Sequence, residues 1–355
     1  MTPRNFSWAV IVGFGIFFAG TVFANVFADP QGVFRGDAAY RENPNWRYLE
    51  FKHYQRDASQ IDGLVFASSR GRSFDDDHLA SRSGNRQILN FSVPFGLVTD
   101  HLPLLQYVLS DKKERGEHLK SVLLLLDLDL FGKAPWTNTN IDAFLPPALS
   151  GESPVRFWWR YLTVYQYGNW RDSLRLRYRA AGLDNSMDSV AGSRRSTLAG
   201  LSPITIAQGP PMQQPSGQAP PEIPAGAIAD AVAEAHRSRQ SWNARRPDLT
   251  RQVLYLEQII KLCRDNGVVL TVATSPMVRA NLNGYPPGEL EALTAELNRL
   301  TPIWDFASPP WLADNPSYWL DFSHFSKAIG TLMIDRMFAG DSSAPADFGR
   351  LRVQK

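Results

Sequence analysis

The longest apolar stretch of the chain, Trp8 to Ala28 (WAVIVGFGIFFAGTVFANVFA), has no charged residue, and Asn25 is its one amide. It is apolar on every side of a helix and long enough to cross a hydrocarbon layer of about 30 Å. Arg4 precedes it. A cleaved signal peptide would use Val26 and Ala28 as the small-residue site before Asp29, whereas a retained anchor would keep the whole segment. The run exceeds the usual signal-peptide core and carries Phe to its end, which favours the anchor over both cleavage and a buried helix of a soluble protein. Either favoured reading puts the remainder outside the cytoplasm, although Arg35, Arg41 and Arg47 after the span pull the other way.

Beyond the span, 29–60 reads as a juxtamembrane connection with one short helix. Short apolar runs then predict strands at 63–67 (GLVFA), 87–91 (QILNF) and 121–128 (SVLLLLDL), with a helix carrying Leu97, Leu102, Leu105 and Leu109 before the third. Consecutive apolar residues in that third run are the pattern of a strand buried on both faces, hence of a parallel sheet between helices. From Phe131 to about Arg246 the pattern degrades. Trp158, Trp159, Tyr161, Tyr165, Tyr167 and Trp170 crowd one stretch, and Ser186 to Ala227, rich in Pro, Gly, Ser and Gln, reads as a mobile insertion. A helix at 248–264 follows, with Cys263 on its apolar stripe and Gly267 ending it. Then come a strand at 268–273, a helix at 289–300, a strand at 303–306 and a helix at 326–338. The sum is an α/β fold: a three-layer α/β/α domain over 61–340 with a central parallel sheet, interrupted at about 133–246 and followed by a tail at 341–355.

Composition narrows the function classes. In the 355-residue chain 37 Lys and Arg face 35 Asp and Glu, a formal charge of +2, so the diffuse basic footprint of a nucleic-acid binder is missing. The single cysteine excludes an intrachain disulfide and a Cys-rich zinc site. His78 follows Asp75, Asp76 and Asp77, but neighbours in sequence rarely converge on one ion, so the segment reads as a solvated loop and neither metal nor cofactor is expected. His53, His101, His118 and His236 read as surface or satisfied helix positions. The aromatic stretch could stack on sugar rings, but core packing or an amphipathic element at a membrane interface is the more ordinary reading.

In parallel sheets the residues just beyond the carboxyl ends of strands are the first candidates for chemistry. Ser68 and Ser69 follow the first strand, where a serine can present its hydroxyl and its own N–H as an oxyanion donor, although Ser-Ser-Arg-Gly is also ordinary turn composition. Far along the chain, Asp321 and His324 precede the last helix at a spacing that lets a carboxylate orient an imidazole. Asp-x-x-His also starts helices by capping.

A Ser after the first strand and an Asp-x-x-His after the last resemble the SGNH (GDSL-like) hydrolases, in particular the membrane-anchored branch of DltD-like proteins and the partners of polysaccharide O-acyltransferases. Ala67-Ser68-Ser69 occupies the first block, Asp321 and His324 the last, and Gly330 follows at the usual distance. The resemblance covers 61–132 and 268–338, and implies Ser69 as nucleophile, His324 as base and Asp321 as its orienting partner. It further implies an oxyanion hole from Ser69 with Ser92 or Gly96. Arg70 and Asn90 are candidate substrate contacts, Arg70 as a partner for an anionic or acyl-donor group. Two departures stand out. Ala67 replaces the usual Gly, and the third block's Asn gives way to Asp127, Leu128, Asp129 and Phe131. The implied protein is a single-pass extracytoplasmic, periplasmic acyltransferase or esterase. Its expected partners are a polysaccharide substrate, the inner membrane and a membrane-bound O-acyltransferase. The alternative is a non-catalytic assembly or glycan-binding component with the same fold.

Overall fold

The computed structural model describes residues 3–131, 144–180 and 249–353, apart from positions 40, 42, 284, 286–287, 308, 322 and 340–344. The expected mobile insertion at Ser186–Ala227 lies outside the described residues. Those that are described form two compact units, one from 3–52 with 144–180 and one from 53–131 with 249–353, the boundary falling inside a helix.

In the first unit, α1 (Pro3–Ala28) is, among the described residues, the one helix long and apolar enough to cross a membrane. It leads through a compact turn region to α2 (Trp46–Asp57). The 29–60 segment, expected as a connection, is partly folded core. Val33, Tyr48 and Leu49 pack with Phe144, Phe157 and Tyr161, and Asn45 Nδ2 donates to Phe144 O at 2.9 Å and Tyr161 Oη at 2.6 Å.

The second unit holds a six-stranded sheet in the order β2-β1-β3-β4-β5-β6, from β1 (Gly63–Ala67), β2 (Ile88–Ser92), β3 (Ser121–Leu126), β4 (Val269–Thr274), β5 (Ile303–Asp305) and β6 (Arg350–Arg352). The first five are parallel, in a register that sets Gly63 beside Ile88 and Ser121, and Ser121 beside Val269. Strand periodicity sends alternate side chains to opposite faces, and each face meets helices. Val65, Ala67, Leu123 and Leu125 pack with Leu79 of α3 (Asp76–Ser83) and with Ile329, Met333 and Ile334 of the final helix Lys327–Phe338. On the other face Phe66 stacks on His101 of α4 (Val98–Glu114), 5.0 Å between centroids, and His101 Nε2 lies 3.3 Å from Ala67 O. His101 is thus a core histidine that ties down the end of β1.

Three local expectations change. The acidic triplet before His78 is no loop: Asp75 caps α3 by accepting from His78 N at 2.8 Å, Asp76 and Asp77 occupy its first turn, and Gly84 closes it in the left-handed conformation. His78 Nε2 then meets Asp335 of the final helix at 2.9 Å. The 341–355 tail contributes β6, antiparallel to β5, where Arg352 is held by Asp305 and Glu291. The described part of the 133–246 excursion, 144–180, is packed helix associated with α1.

A tight 3-10 turn, Ser69–Ser73, follows β1 and is clamped by two glycines. A Cβ at Gly71 would collide with Ala67 and Ser92, and one at Gly330 with the Ser73 carbonyl oxygen. Gly330→Ala should therefore push the final helix off this turn and lower stability by about 1–3 kcal/mol, measurable by denaturation of the detergent-solubilised chain.

Candidate active site

The sheet order reverses direction between β1 and β3, and a crevice at the carboxyl ends of strands opens at such a point. Ser69 opens the 3-10 turn immediately after β1 and is half-buried. Its Oγ lies 2.8 Å from His324 Nε2, and His324 Nδ1 lies 2.7 Å from Asp321 Oδ2. The other oxygen of Asp321 accepts from the N–H groups of Ser323 and His324 at 2.7 and 2.8 Å. Residues more than 250 positions apart in sequence thus converge into one serine–histidine–aspartate relay.

The electrostatics fix its polarity. Burial works to raise the Asp321 carboxyl, but the hydrogen bond and charge of His324 and the two backbone N–H groups outweigh it and hold the group below the usual carboxylate range. An ionised carboxylate only accepts, so Nδ1 carries the donated proton, leaving the Nε2 lone pair for the Ser69 hydroxyl. Ser69 also stands first in its turn, so its backbone N–H has no acceptor within that turn.

Ser68 is the other serine of the pair, and its hydroxyl is spent: it donates to Asp127 Oδ2 and accepts from Arg70 N. Arg70 departs furthest from expectation. Rather than facing an external anion, it is 2% exposed. Its Nη1 and Nη2 form a fork on Asp129 at 2.6 and 2.8 Å, and Asp127 Oδ1 sits 3.3 Å from Nη1. The same guanidinium donates to Ser275 Oγ at 3.2 Å and to Ser323 O at 2.9 Å. Burial opposes the charge, the fields of Asp127 and Asp129 outweigh it, and the net effect strengthens the protonated form. Arg70 is therefore an internal tie among the segments after β1, β3 and β4 and the loop that carries His324.

The remaining candidates are engaged elsewhere. Asn90 donates to Gly71 O at 3.1 Å and Asp76 at 2.8 Å and accepts from Ser92 Oγ, so its amide is a brace behind the turn rather than a substrate contact. Ser92 packs its hydroxyl under Gly71 and donates it to Asn90, and Gly96 donates its N–H to Val93 O at 2.9 Å, so of the two expected second oxyanion donors the Gly96 N–H is engaged within its own turn. Asp127, Asp129, Ser275 and Ser323 were missed as a set. The available signal was that an arginine and two carboxylates directly follow neighbouring buried strands, where no water would neutralise them. Among the described residues no group of His, Cys, Asp and Glu is arranged to hold a metal ion. Searches against protein-family models and curated proteins found no match to this chain.

Removing Arg70 takes the counter-charge from the buried Asp127 and the part-buried Asp129, so Arg70→Met should cost about 3–5 kcal/mol in unfolding experiments, and Arg70→Lys, which keeps the charge without the fork, should recover part of it. The lowered pKa of Asp321 implies a stability contribution fully present above the ordinary carboxylate pKa of about 3.9 and lost as pH falls through the depressed value. The gap in melting temperature between the parent chain and Asp321→Asn should accordingly be widest near neutrality and close in acid.

Proposed function

We propose that this protein is a serine-dependent acyltransferase or esterase of SGNH type, held at a membrane by α1 and acting outside the cytoplasm on acyl esters of a surface or secreted polysaccharide. The observation that carries the reaction type is the hydrogen-bonded series from Ser69 Oγ through His324 to Asp321. In the proposed reaction His324 Nε2 takes the proton as Ser69 Oγ attacks the ester carbonyl. The tetrahedral oxyanion collapses to an acyl-Ser69 ester, and His324 returns the proton to the departing alcohol. A sugar hydroxyl or water, deprotonated by the same imidazole, then resolves the intermediate. The Ser69 N–H supports the oxyanion.

The strand order, the nucleophile after β1 and the Asp-x-x-His before the last helix support the SGNH-type reading, and the apolar α1 supports anchoring. A tethered catalyst would meet an acyl donor delivered through a membrane-bound acyltransferase at high effective concentration. One observation favours a non-catalytic role with the same fold: the Gly96 N–H, an expected oxyanion donor, is committed to Val93 O.

A fluorophosphonate probe separates the two. The parent chain should be labelled at Ser69, and Ser69→Ala or His324→Ala should abolish labelling and reduce acyl transfer or hydrolysis roughly a thousandfold or more. Unlabelled parent protein, together with full polysaccharide acylation in cells carrying either variant, would leave only the non-catalytic role.

A further inference from the structure

A second feature lies in the first unit, where the crowded aromatics fall on α5 (Pro154–Thr163) and α6 (Tyr167–Ala180). In α5, Phe157 and Tyr161 are spaced four apart and form one stripe, fully buried against Val33, Tyr48 and Leu49. Nearly opposite on the helix, Val155 and Trp159 form a second stripe that is 77% and 57% exposed. Val164, Tyr165 and Tyr167 extend this apolar surface through the α5–α6 corner and are exposed as well. An outward stripe of Val, Trp and Tyr on a folded helix is unfavourable in water and needs a cover.

The surface is continuous with α1. Trp159 packs on Phe18 with 6.0 Å between ring centroids, and Tyr165 on Phe17 at 5.7 Å. Below these rings the end of α1 enters the protein. Thr21, Asn25 and Ala28 are buried, and Asn25 donates to the Leu162 and Val164 carbonyls at 2.8 and 3.0 Å while accepting from Trp170 Nε1 at 2.7 Å. The last carbonyls of α1 are met by cations: Arg177 reaches Phe27 O and Ala28 O, and Arg35 reaches Phe27 O. At about 1.5 Å per residue the 26-residue helix is some 39 Å long, more than a hydrocarbon core needs, so its last two turns, which bury one face through Thr21, Asn25 and Ala28, lie toward the water side. The aromatic corner then sits where α1 leaves the hydrocarbon, the level that Trp and Tyr favour in membrane proteins. Arg175 on α6 adds the sign of charge that suits anionic headgroups, while Arg171 and Arg177 are engaged by Asp172 and by the α1 carbonyls.

We infer that α5 and the α5–α6 corner form an interfacial foot that lies in the headgroup region of the lipid bilayer beside α1, with Val155, Trp159, Val164 and Tyr165 turned into lipid. The inference rests on the anchoring role proposed for α1. Lipid is what covers this surface, because the exposed stripe runs through the Trp159–Phe18 and Tyr165–Phe17 contacts into the apolar surface of the span.

Spin labels at introduced cysteines test this in the full chain, reconstituted into phosphatidylcholine–phosphatidylglycerol vesicles. The native Cys263 is buried, and its thiol is pushed up to about 12 by burial, so it stays unlabelled at neutral pH. Val155→Cys and Trp159→Cys should collide with oxygen in excess of a water-soluble nickel complex, while Arg156→Cys on the neighbouring polar face should show the reverse. Phe14→Cys, on the exposed surface of α1, reports the anchor independently. Nickel access at 155 and 159 equal to that at 156, with Phe14→Cys still in lipid, would overturn the foot alone and return the stripe to a protein partner. Nickel access at 14 would overturn the anchor and the foot together. Val155→Cys, at the most exposed of these positions, keeps the outcome readable should Trp159→Cys perturb folding.

Discussion

The arrangement of the candidate site depends on one buried cation. A guanidinium removed from water is tolerated only where carboxylates and hydroxyls replace its hydration, and Arg70 finds them on three separate segments. Because Arg70 directly follows Ser69, whatever fixes its side chain also fixes the turn that presents the Ser69 hydroxyl. Its bond to the Ser323 carbonyl fixes the loop that presents His324. Ser69 and His324 are thus held by a shared ionic tie, which explains how residues far apart in the chain keep hydrogen-bond distance.

That tie also accounts for a departure from the pattern of the proteins that the sequence resembles. Carboxylates at 127 and 129 are poor substitutes for an amide that donates to an oxyanion, but they are the proper counterions for a buried arginine. The two glycines at 71 and 330 serve the same geometry by letting the 3-10 turn approach β2 on one side and the final helix on the other. Close backbone approach and charge neutralisation together leave the Ser69 turn little freedom.

How much of this could be read in the residues follows from which physical signals are local. Strands β1 to β5 were legible because each is written as a short apolar run, continuous where the strand is buried throughout as in β1, and their predicted ends lie within two residues of the observed ones. Ser69, Asp321 and His324 were legible because position after a strand and i, i+3 spacing are local features. The role of Arg70 was not, since nothing local distinguishes a solvated arginine from one enclosed by distant carboxylates. Helix α3 was missed because its acidic start was read as solvation rather than as a cap. Strand β6 is three residues long and is held by a remote partner, Arg352 with Asp305 and Glu291. The aromatic stretch signalled burial or an interface, but its division into an inward and an outward stripe emerges only once the helix is placed against α1.

The amide of Asn25 gives the N-terminal helix a property that its composition conceals. A uniformly greasy cylinder is free to spin about its own axis and to slide along it, since every azimuth offers lipid the same surface. With three hydrogen bonds locking one side chain to the α5–α6 corner, α1 has a single rotational setting and a single depth relative to the unit it enters. It behaves as a keyed shaft rather than a swivel, and always turns the same side outward.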